Sequence, residues 1–136
     1  MKNRTLTIAA TVAMAWLAGT LSVPSAAAQV PGFKRVELQR QDLSAKDREA
    51  VLARGEFAAG AAVPKHTHPG EEIGYILSGE LVIEIDGQPA KTLKAGDTFF
   101  IPAGQVHSGK NPGKTAATVL STYVVEKGKP LATPVK

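Results

Sequence analysis

The 136-residue sequence contains no cysteine and only one tryptophan, Trp16. Without cysteine the chain can form neither a disulfide nor a thiolate metal site, and it cannot carry the acylated cysteine of a lipoprotein. Its formal net charge is only +4 and its basic residues are dispersed, which argues against a nucleic-acid-binding protein. The sequence also lacks a solenoid-type repeat, a nucleophilic serine motif and a phosphate-binding loop. Several large classes of protein are therefore excluded before any motif is considered.

The first 28 residues have the composition of a secretory signal peptide. Lys2 and Arg4 precede an uncharged, largely apolar run of 18 residues, 6–23, and Ala26-Ala27-Ala28 then offers a small-residue cleavage site. An uncleaved membrane anchor is the alternative, but threonine and glycine dilute the run, which makes it marginal for crossing a bilayer. We predict a periplasmic or secreted protein with no stable membrane association after cleavage.

Cleavage after Ala28 would leave residues 29–136, the size of one domain, with a formal net charge of about +2. A chain of this length buries roughly two-thirds of its unfolded surface and needs no disulfide to hold a core. We expect the core of the domain to span about 36–126. Residues 127–136 contain Pro130 and Pro134, so we expect an extended or mobile tail there.

Short segments typical of strands, separated by glycine and proline turns, dominate the domain. The predicted strands cover 36–40, 50–59, 63–68, 73–77, 81–85, 91–93, 98–101 and 115–125. Gly55 would weaken the second strand or form a bulge in it, and a helix over 44–53 is the alternative there. The Asp86-Gly87 pair is typical of a tight hairpin. The pattern predicts an all-β barrel or sandwich.

All three histidines lie in two short segments of the domain. His66 and His68 are two residues apart, so in a strand their imidazoles project to the same face. Glu72 follows a turn and can face the same interior, and a second turn can direct His107 to the same point. Three neutral imidazoles and one carboxylate form a borderline-to-hard donor set for a metal ion. The alternative is that the histidines fill the interior without a metal and that Glu72 belongs to a solvated turn.

These two segments resemble the two conserved motifs of the cupin superfamily. The first is GAAVPKHTHPGEEIGYILSG at 60–79, and the second is GDTFFIPAGQVHSGKN at 96–111. Every fixed glycine, proline, histidine, glutamate and asparagine of the two patterns is present. The motifs and the 16 residues between them cover about half of residues 29–136. The resemblance implies a single antiparallel jelly-roll β-barrel of about six to eight strands, of the small single-domain, bacterial type.

The same resemblance implies that His66, His68, Glu72 and His107 bind one divalent ion per chain, of manganese, iron, nickel, copper or zinc. It implies a metal-dependent enzyme that acts on a small organic molecule, with dioxygenase-like chemistry as in quercetinase-like cupins. Germin-like oxidation of oxalate fits a secreted location, although germin-like proteins usually carry cysteines. A lyase of the hydroxynitrile-lyase type is a rival, but many such cupins have glutamine in place of Glu72. The second class of function is a non-catalytic periplasmic module that binds a metal or a small molecule.

Alternation along the strand after Glu72 predicts which side chains face the interior. Counting by twos places Gly74 and Ile76 inside the barrel. The outward residues of the same strand are all apolar: Ile73, Tyr75 and Leu77. An apolar outer face indicates a second layer or a partner subunit, and we predict a homodimer. Because Phe99 and Phe100 are adjacent, one of them should face inward and give a small-molecule pocket an apolar wall.

Several motif residues are interpreted as structural. Positive φ angles at turns are expected for four glycines: Gly60, Gly79, Gly96 and Gly104. Asp97 is expected to bind backbone amides of its own turn, and Pro64 to mark a strand edge or a bulge. Asn111 is expected to be a turn residue rather than a metal ligand.

Overall fold

A computed structural model describes residues 29–136, so the predicted signal peptide at 1–28 lies outside the described residues. Within 29–136 the protein is all-β, and no segment there forms a helix long and apolar enough to cross a membrane. The strands are β1 (Phe33–Asp42), β2 (Arg48–Phe57), β3 (Ala62–Thr67), β4 (Gly70–Ser78), β5 (Glu80–Ile85), β6 (Lys91–Lys94), β7 (Thr98–Ile101), β8 (His107–Lys110), β9 (Ala117–Glu126) and β10 (Thr133–Pro134).

The strands form two five-stranded antiparallel sheets whose inner faces pack together as a jelly-roll barrel, which confirms the predicted fold class. The first sheet has the order β1-β2-β9-β4-β7, and the second has the order β10-β3-β8-β5-β6. Strand β9 lies at the centre of the first sheet, where it pairs with β2 on one side and with β4 on the other. The two conserved segments therefore contribute to both sheets, and the space between the sheets can hold residues from each.

Residues 44–53 do not form the alternative helix, which is therefore wrong. Strand β2 alternates between buried and half-buried positions along its whole length, which is the period of a strand. The bulge considered at Gly55 is also wrong, because the register between β2 and β9 is unbroken there. A Cβ at Gly55 would lie 2.9 Å from a methyl carbon of Val119, so close packing requires the glycine. The register shift lies instead in β1, between Glu37 and Gln39.

Two short strands were not predicted, and they raise the number above the expected six to eight, to ten. Strand β8 lies between β3 and β5 and begins at His107, in a stretch whose polar and glycine residues gave no strand signal. Strand β10 lies within the expected tail, where Thr133 pairs with Thr67 and Pro134 pairs with His66. Both strands are set by pairing with β3, which local sequence does not encode.

The interior divides into two clusters that occupy opposite halves of β2 and β9. The first, which we call the apolar end, is formed by Phe57, Ala61, Ile76, Leu81, Ile83, Ile85, Leu93, Ile101, Ala117 and Val119. The second, which we call the histidine end, is formed by Val51, Ala53, Tyr123 and Val125, with Leu131 packed against it. Burial of aliphatic side chains, each contributing about 1.5–3 kcal/mol, stabilises the apolar end.

The turns follow the sequence prediction. The four motif glycines all have positive φ: Gly60, Gly79, Gly96 and Gly104. Asp97 accepts a 2.8 Å hydrogen bond from the backbone N–H of Lys94, as expected for a turn carboxylate. The register of β3 against β8 shifts between Val63 and His66, so Pro64 does mark a bulge.

Asn111 was expected to be a turn residue, and its side chain does hydrogen-bond the backbone of the turn that follows it, at Gly113 and Thr115; its burial was not predicted. It is 1% exposed, and its Nδ2 donates hydrogen bonds to the carbonyl oxygens of Phe57, Ala58 and Thr115 at 3.3, 3.2 and 2.7 Å. Its Oδ1 accepts a 2.9 Å hydrogen bond from the N–H of Gly113. The side chain thus supplies hydrogen-bond partners to the backbone of two loops at once. None of these hydrogen bonds involves a histidine.

Candidate metal centre

The histidines come from the second sheet and the glutamate from the first. His66 lies on β3 and is the register partner of His107 on β8, while His68 follows the end of β3 directly. Glu72 lies on β4, where it is the register partner of Tyr123 on β9 and faces the interior. The barrel therefore brings the four sequence-predicted residues together between its two sheets.

The distances within this group suit the ligands of a single ion. The ring centroids of the three imidazoles are 4.3 to 5.0 Å apart, and one ligand nitrogen from each lies within 4.8 Å of the others. Oε2 of Glu72 is 3.1 Å from Nε2 of His68 and 3.4 Å from Nε2 of His107. Atoms that bind one ion at about 2.1 Å lie about 3.0 to 3.4 Å apart in octahedral or tetrahedral arrangements. The spacing of Glu72 from two of the histidines matches that range.

Hydrogen bonds to the backbone fix the tautomer of each ring. The Nδ1 atom of every imidazole lies beside a carbonyl oxygen: Pro64 for His66 (2.8 Å), Leu131 for His68 (2.5 Å) and Gln105 for His107 (2.9 Å). A carbonyl oxygen only accepts hydrogen bonds, so each Nδ1 carries the proton. In a neutral ring the lone pair is then on Nε2, which is the arrangement of histidines that bind metals.

The buried nitrogens provide the test of whether a metal fits. Within the described residues, Nε2 of His68 and Nε2 of His107 are buried and form no hydrogen bond, although both face the carboxylate of Glu72. Two lone pairs directed at a carboxylate repel it, and unpaired buried polar atoms are costly. A cation between these atoms removes both penalties, so the residues fit a bound metal ion.

The charge states also favour a cation. Burial lowers the pKa of His66 to about 4, so this imidazole is neutral and its lone pair is free at neutral pH. Burial alone would raise the pKa of the Glu72 carboxyl, but the close imidazoles of His107 and His68 outweigh burial and hold that pKa well below its usual range. The centre therefore presents one negative charge at Glu72 and, at His66, a neutral nitrogen donor.

Access to the centre is from the side of His66. His68, His107 and Glu72 are 3%, 4% and 6% exposed, whereas His66 is half-buried. Two surface clefts, of about 440 Å³ beside Phe33 and about 230 Å³ beside Pro64, are lined by none of the four residues.

Two polar residues beside the centre were missed by the sequence analysis. The ring of Tyr123 packs edge-on against His68 with centroids 4.8 Å apart, and burial raises the pKa of its hydroxyl, so the hydroxyl stays protonated. Ser121 is buried two residues earlier on the same face of β9. Counting by twos along β9, as was done for β4, would have found both residues.

Strands β4 and β7 confirm the predicted inward and outward positions. Gly74 and Ile76 are buried, and a Cβ at Gly74 would lie 2.1 Å from the ring of Phe99, so Phe99 faces inward over this glycine. The outward residues form an exposed apolar patch: Ile73 (51% exposed), Tyr75 (45%), Leu77 (45%) and Phe100 (54%). We call this set the outer patch; Glu71 precedes it on the same side of β4.

Comparison with known proteins identifies related chains. Germin-like protein subfamily 2 member 2 of Arabidopsis thaliana is 43% identical over 77 residues, which are 53% of this chain and 35% of the relative. Oxalate oxidase 2 of Hordeum vulgare is 37% identical over 80 residues, which are 53% of this chain and 36% of the relative. The chain thus spans roughly a third of the length of these curated relatives.

Solved structures cover more of the chain, and a family model covers about half of it. An oxalate oxidase in complex with the substrate analogue glycolate is 29% identical with a TM-score of 0.62, covering 86% of this chain and 59% of that one. A cupin superfamily protein of Desulfitobacterium hafniense is 25% identical with a TM-score of 0.56, covering 74% of this chain and 84% of that one. The family model described as the cupin domain matches residues 53–123, about half of the chain and all four residues of the centre. The chain therefore belongs to the cupin family.

Proposed function

We propose that His66, His68, Glu72 and His107 bind one divalent first-row metal ion, and that the protein is a metal-dependent oxidase of a small carboxylic acid such as oxalate. One observation carries the metal proposal: three imidazoles, each held by a backbone carbonyl at Nδ1, gather around a buried carboxylate with no competing hydrogen bond at two of the Nε2 atoms. Manganese, iron, nickel, copper and zinc all accept such a mixed donor set.

The protein residues supply position, charge and a dry environment for the reaction. A bound metal would polarise a carboxylate oxygen and, if redox-active, exchange electrons with dioxygen. The ionised Glu72 limits the net charge of the loaded centre, and the Nδ1–H groups keep the three rings from turning. The protonated Tyr123 hydroxyl supplies a hydrogen-bond donor on the wall of the same interior. The half-buried side at His66 is the side from which a substrate would enter.

The proposed substrate class is supported by size and by similarity. The burial of His68, Glu72 and His107, each at most 6% exposed, favours an acid of a few atoms. A relative named oxalate oxidase is 37% identical over the shared region, and a similar structure holds glycolate. Both acids can present a carboxylate and a second oxygen to one metal ion.

The test combines metal analysis with turnover. Protein purified from its own compartment is analysed for bound metals by mass spectrometry, and dioxygen uptake and hydrogen peroxide release are then measured with oxalate, glycolate and other small acids. We expect close to one metal per chain and activity that Glu72→Gln abolishes. Glu71→Gln is the matched control, because Glu71 is the adjacent carboxylate on the outward side of β4. Metal content below about 0.1 per chain, with no thermal stabilisation by added metal, would exclude the metal proposal.

A non-catalytic binding module is the second candidate, and the burial of the centre favours it. Three of the four proposed ligands are at most 6% exposed, as in sites that retain an ion rather than exchange substrates. Metal bound at one per chain, with no dioxygen uptake under any metal and any acid of the panel, would select this module over the oxidase.

We also propose a homodimer formed through the outer patch. The patch is apolar and exposed, so two copies related by a twofold axis can cover it. Sedimentation analysis of the wild-type protein and of Tyr75→Asp should give a dimer and a monomer, respectively. Lys65→Ala, on the other sheet, serves as the control.

The remaining proposals concern export and domain limits. We propose that residues 1–28 are a cleaved signal peptide, that the mature protein is one cupin domain over 29–136 of the small bacterial type, and that it is periplasmic or secreted without stable membrane association. Intact-mass measurement of the exported protein would locate the first residue. A mature chain that begins at Met1 would contradict cleavage.

A further inference from the structure

The last ten residues of the chain pass over the histidine end of the barrel. We call Lys127–Lys136 the C-terminal strap. In it, Thr133 and Pro134 form β10 and pair with Thr67 and His66 on β3. The N–H of Val135 adds a 3.0 Å hydrogen bond to the carbonyl oxygen of Lys65. The strap is therefore docked along the strand that carries the first histidine.

The strap also reaches the interior. The carbonyl oxygen of Leu131 lies 2.5 Å from Nδ1 of His68, and the side chain of Leu131 packs against the cluster that contains Val51 and Tyr123. The strap thus inserts a hydrogen-bond acceptor and an apolar side chain beside the same ring, since Tyr123 is the aromatic neighbour of His68.

The three histidines differ in how far away their Nδ1 partners are in the sequence. His66 and His107 each use the carbonyl of the residue two positions earlier, Pro64 and Gln105. Those contacts are local, formed at the bulge of β3 for His66 and in the loop before β8 for His107. His68 uses a carbonyl that is 63 positions later in the chain. Its orientation therefore depends on the docking of a distant segment.

We propose that the C-terminal strap is a positioning element for the metal centre: it pairs with the edge of β3 and fixes the tautomer and orientation of His68 through Leu131. Without the strap, the buried Nδ1–H of His68 loses its acceptor and the ring is free to turn or to exchange its proton between nitrogens. Loss of the hydrogen-bond partner of a metal-binding histidine typically lowers metal affinity by about 10-fold to 100-fold. The affinity part of this inference rests on the proposed metal binding, whereas the orientation of His68 does not.

The first test compares the full chain with a chain that ends at Lys129. Titration calorimetry with Mn²⁺ and Zn²⁺ should show an affinity about 10-fold to 100-fold lower for the shortened chain. Circular dichroism and thermal melting establish that the shortened chain retains a folded barrel. Affinities within about twofold of each other in two folded proteins would overturn the proposal. If the shortened chain does not fold, the decision passes to point variants.

The point variants are Val135→Pro and Val135→Ala. Both substitutions replace the exposed valine side chain, but only proline also removes the backbone N–H that donates to the carbonyl oxygen of Lys65. Val135→Pro should therefore weaken metal binding by several-fold relative to Val135→Ala. Equal affinities for the two variants would overturn the proposal.

A metal-independent measurement separates this inference from the proposed function. In nitrogen-15-labelled protein without metal, each hydrogen-bonded Nδ1–H gives a resolved proton signal that is protected from exchange. Removal of the strap, or Val135→Pro, should weaken the signal of His68 and leave those of His66 and His107 in place. A His68 signal that persists unchanged would overturn the positioning role. A full chain that shows the His68 signal but binds neither Mn²⁺ nor Zn²⁺ would instead refute the proposed function.

Discussion

The apolar end and the histidine end of the barrel treat buried polar atoms in opposite ways. At the apolar end Asn111 is fully buried, and both its amide nitrogen and its oxygen have backbone partners. At the histidine end, Nε2 of His68 and of His107 are just as buried but form no hydrogen bond within the described chain. At the apolar end the buried polar atoms are satisfied by the protein itself. At the histidine end two nitrogen lone pairs have no partner among the described residues and are available to bind a ligand.

The difference indicates that stability and function are located in separate halves of the same strands. Aliphatic packing at the apolar end does not require an ion. The histidine end has only a small apolar cluster, and a buried carboxylate and three imidazoles lie beside it. Substitutions at one end should therefore change folding with little effect on metal binding, and substitutions at the other should do the reverse.

Replacement of a ligand should have the largest effect. His107→Ala is expected to lower metal affinity by at least about 100-fold, because it removes one nitrogen donor and opens the interior to water. The thermal stabilisation that metal gives the wild-type protein should disappear with it. Calorimetric titration and thermal melting measure both effects. Ser108→Ala, at the adjacent outward position of β8, is the control and should bind metal as the wild type does.

Truncation at the apolar end should have a large effect on stability alone. Leu81→Ala is expected to lower the free energy of unfolding by about 2–5 kcal/mol, because it leaves a cavity in the fully buried cluster. The metal content of the folded fraction should stay at the wild-type level. Urea denaturation and metal analysis check the two statements. If the variant does not fold, Ile76→Val allows the same comparison, with an expected loss of about 0.5–1.5 kcal/mol of unfolding free energy. Loss of metal in a folded variant would contradict the division into two ends.

Removal of the Asn111 side chain should have a smaller effect. Asn111→Ala is expected to cost about 1–3 kcal/mol of unfolding free energy, because the carbonyl oxygen of Thr115 and the N–H of Gly113 lose their side-chain partner. Metal affinity should be unchanged. Thr115→Ala is the control, because Thr115 contributes only its backbone carbonyl and its side chain is exposed. Weaker metal binding by Asn111→Ala would contradict the structural role assigned to this residue.

The mildest perturbation is a change of pH on metal-free protein. Burial lowers the pKa of His66 to about 4, while a histidine in the unfolded chain titrates near about 6.5. Between these values the unfolded state binds more protons than the folded state. The contribution of His66 to stability is therefore fully present above about pH 6.5 and is lost as the pH falls toward 4. Urea midpoints at pH 7 and pH 5 should show the decrease, and His66→Gln should reduce it; an equal decrease in both proteins would assign it to another group.

Much of the fold and of the centre was predictable because it is encoded locally. The spacing of His66, His68 and Glu72, and the alternation that buries Gly74 and exposes Ile73, follow from the geometry of strands and turns. The family model then covers all four residues that we propose as metal ligands. These features need only a few neighbouring residues to be read.

The rest depends on contacts between distant parts of the chain. Strand β10 and the carbonyl of Leu131 reach His66 and His68 from the end of the sequence, and prolines nearby suggested an extended tail instead. The burial of Asn111 results from two loops that meet around it. Tyr123 and Ser121 were within reach of the alternation rule but their faces were not assigned.

The central position of β9 in the first sheet has a consequence for how the chain folds after synthesis. Strand β9 is the last long strand to be synthesised, yet β2 and β4 both pair with it. Until it leaves the ribosome, each of these earlier strands has an open edge that can pair with another chain. Folding that waits for such distant partners is slow. Closure of the barrel is thus a late event, and aggregation of nascent chains competes with it.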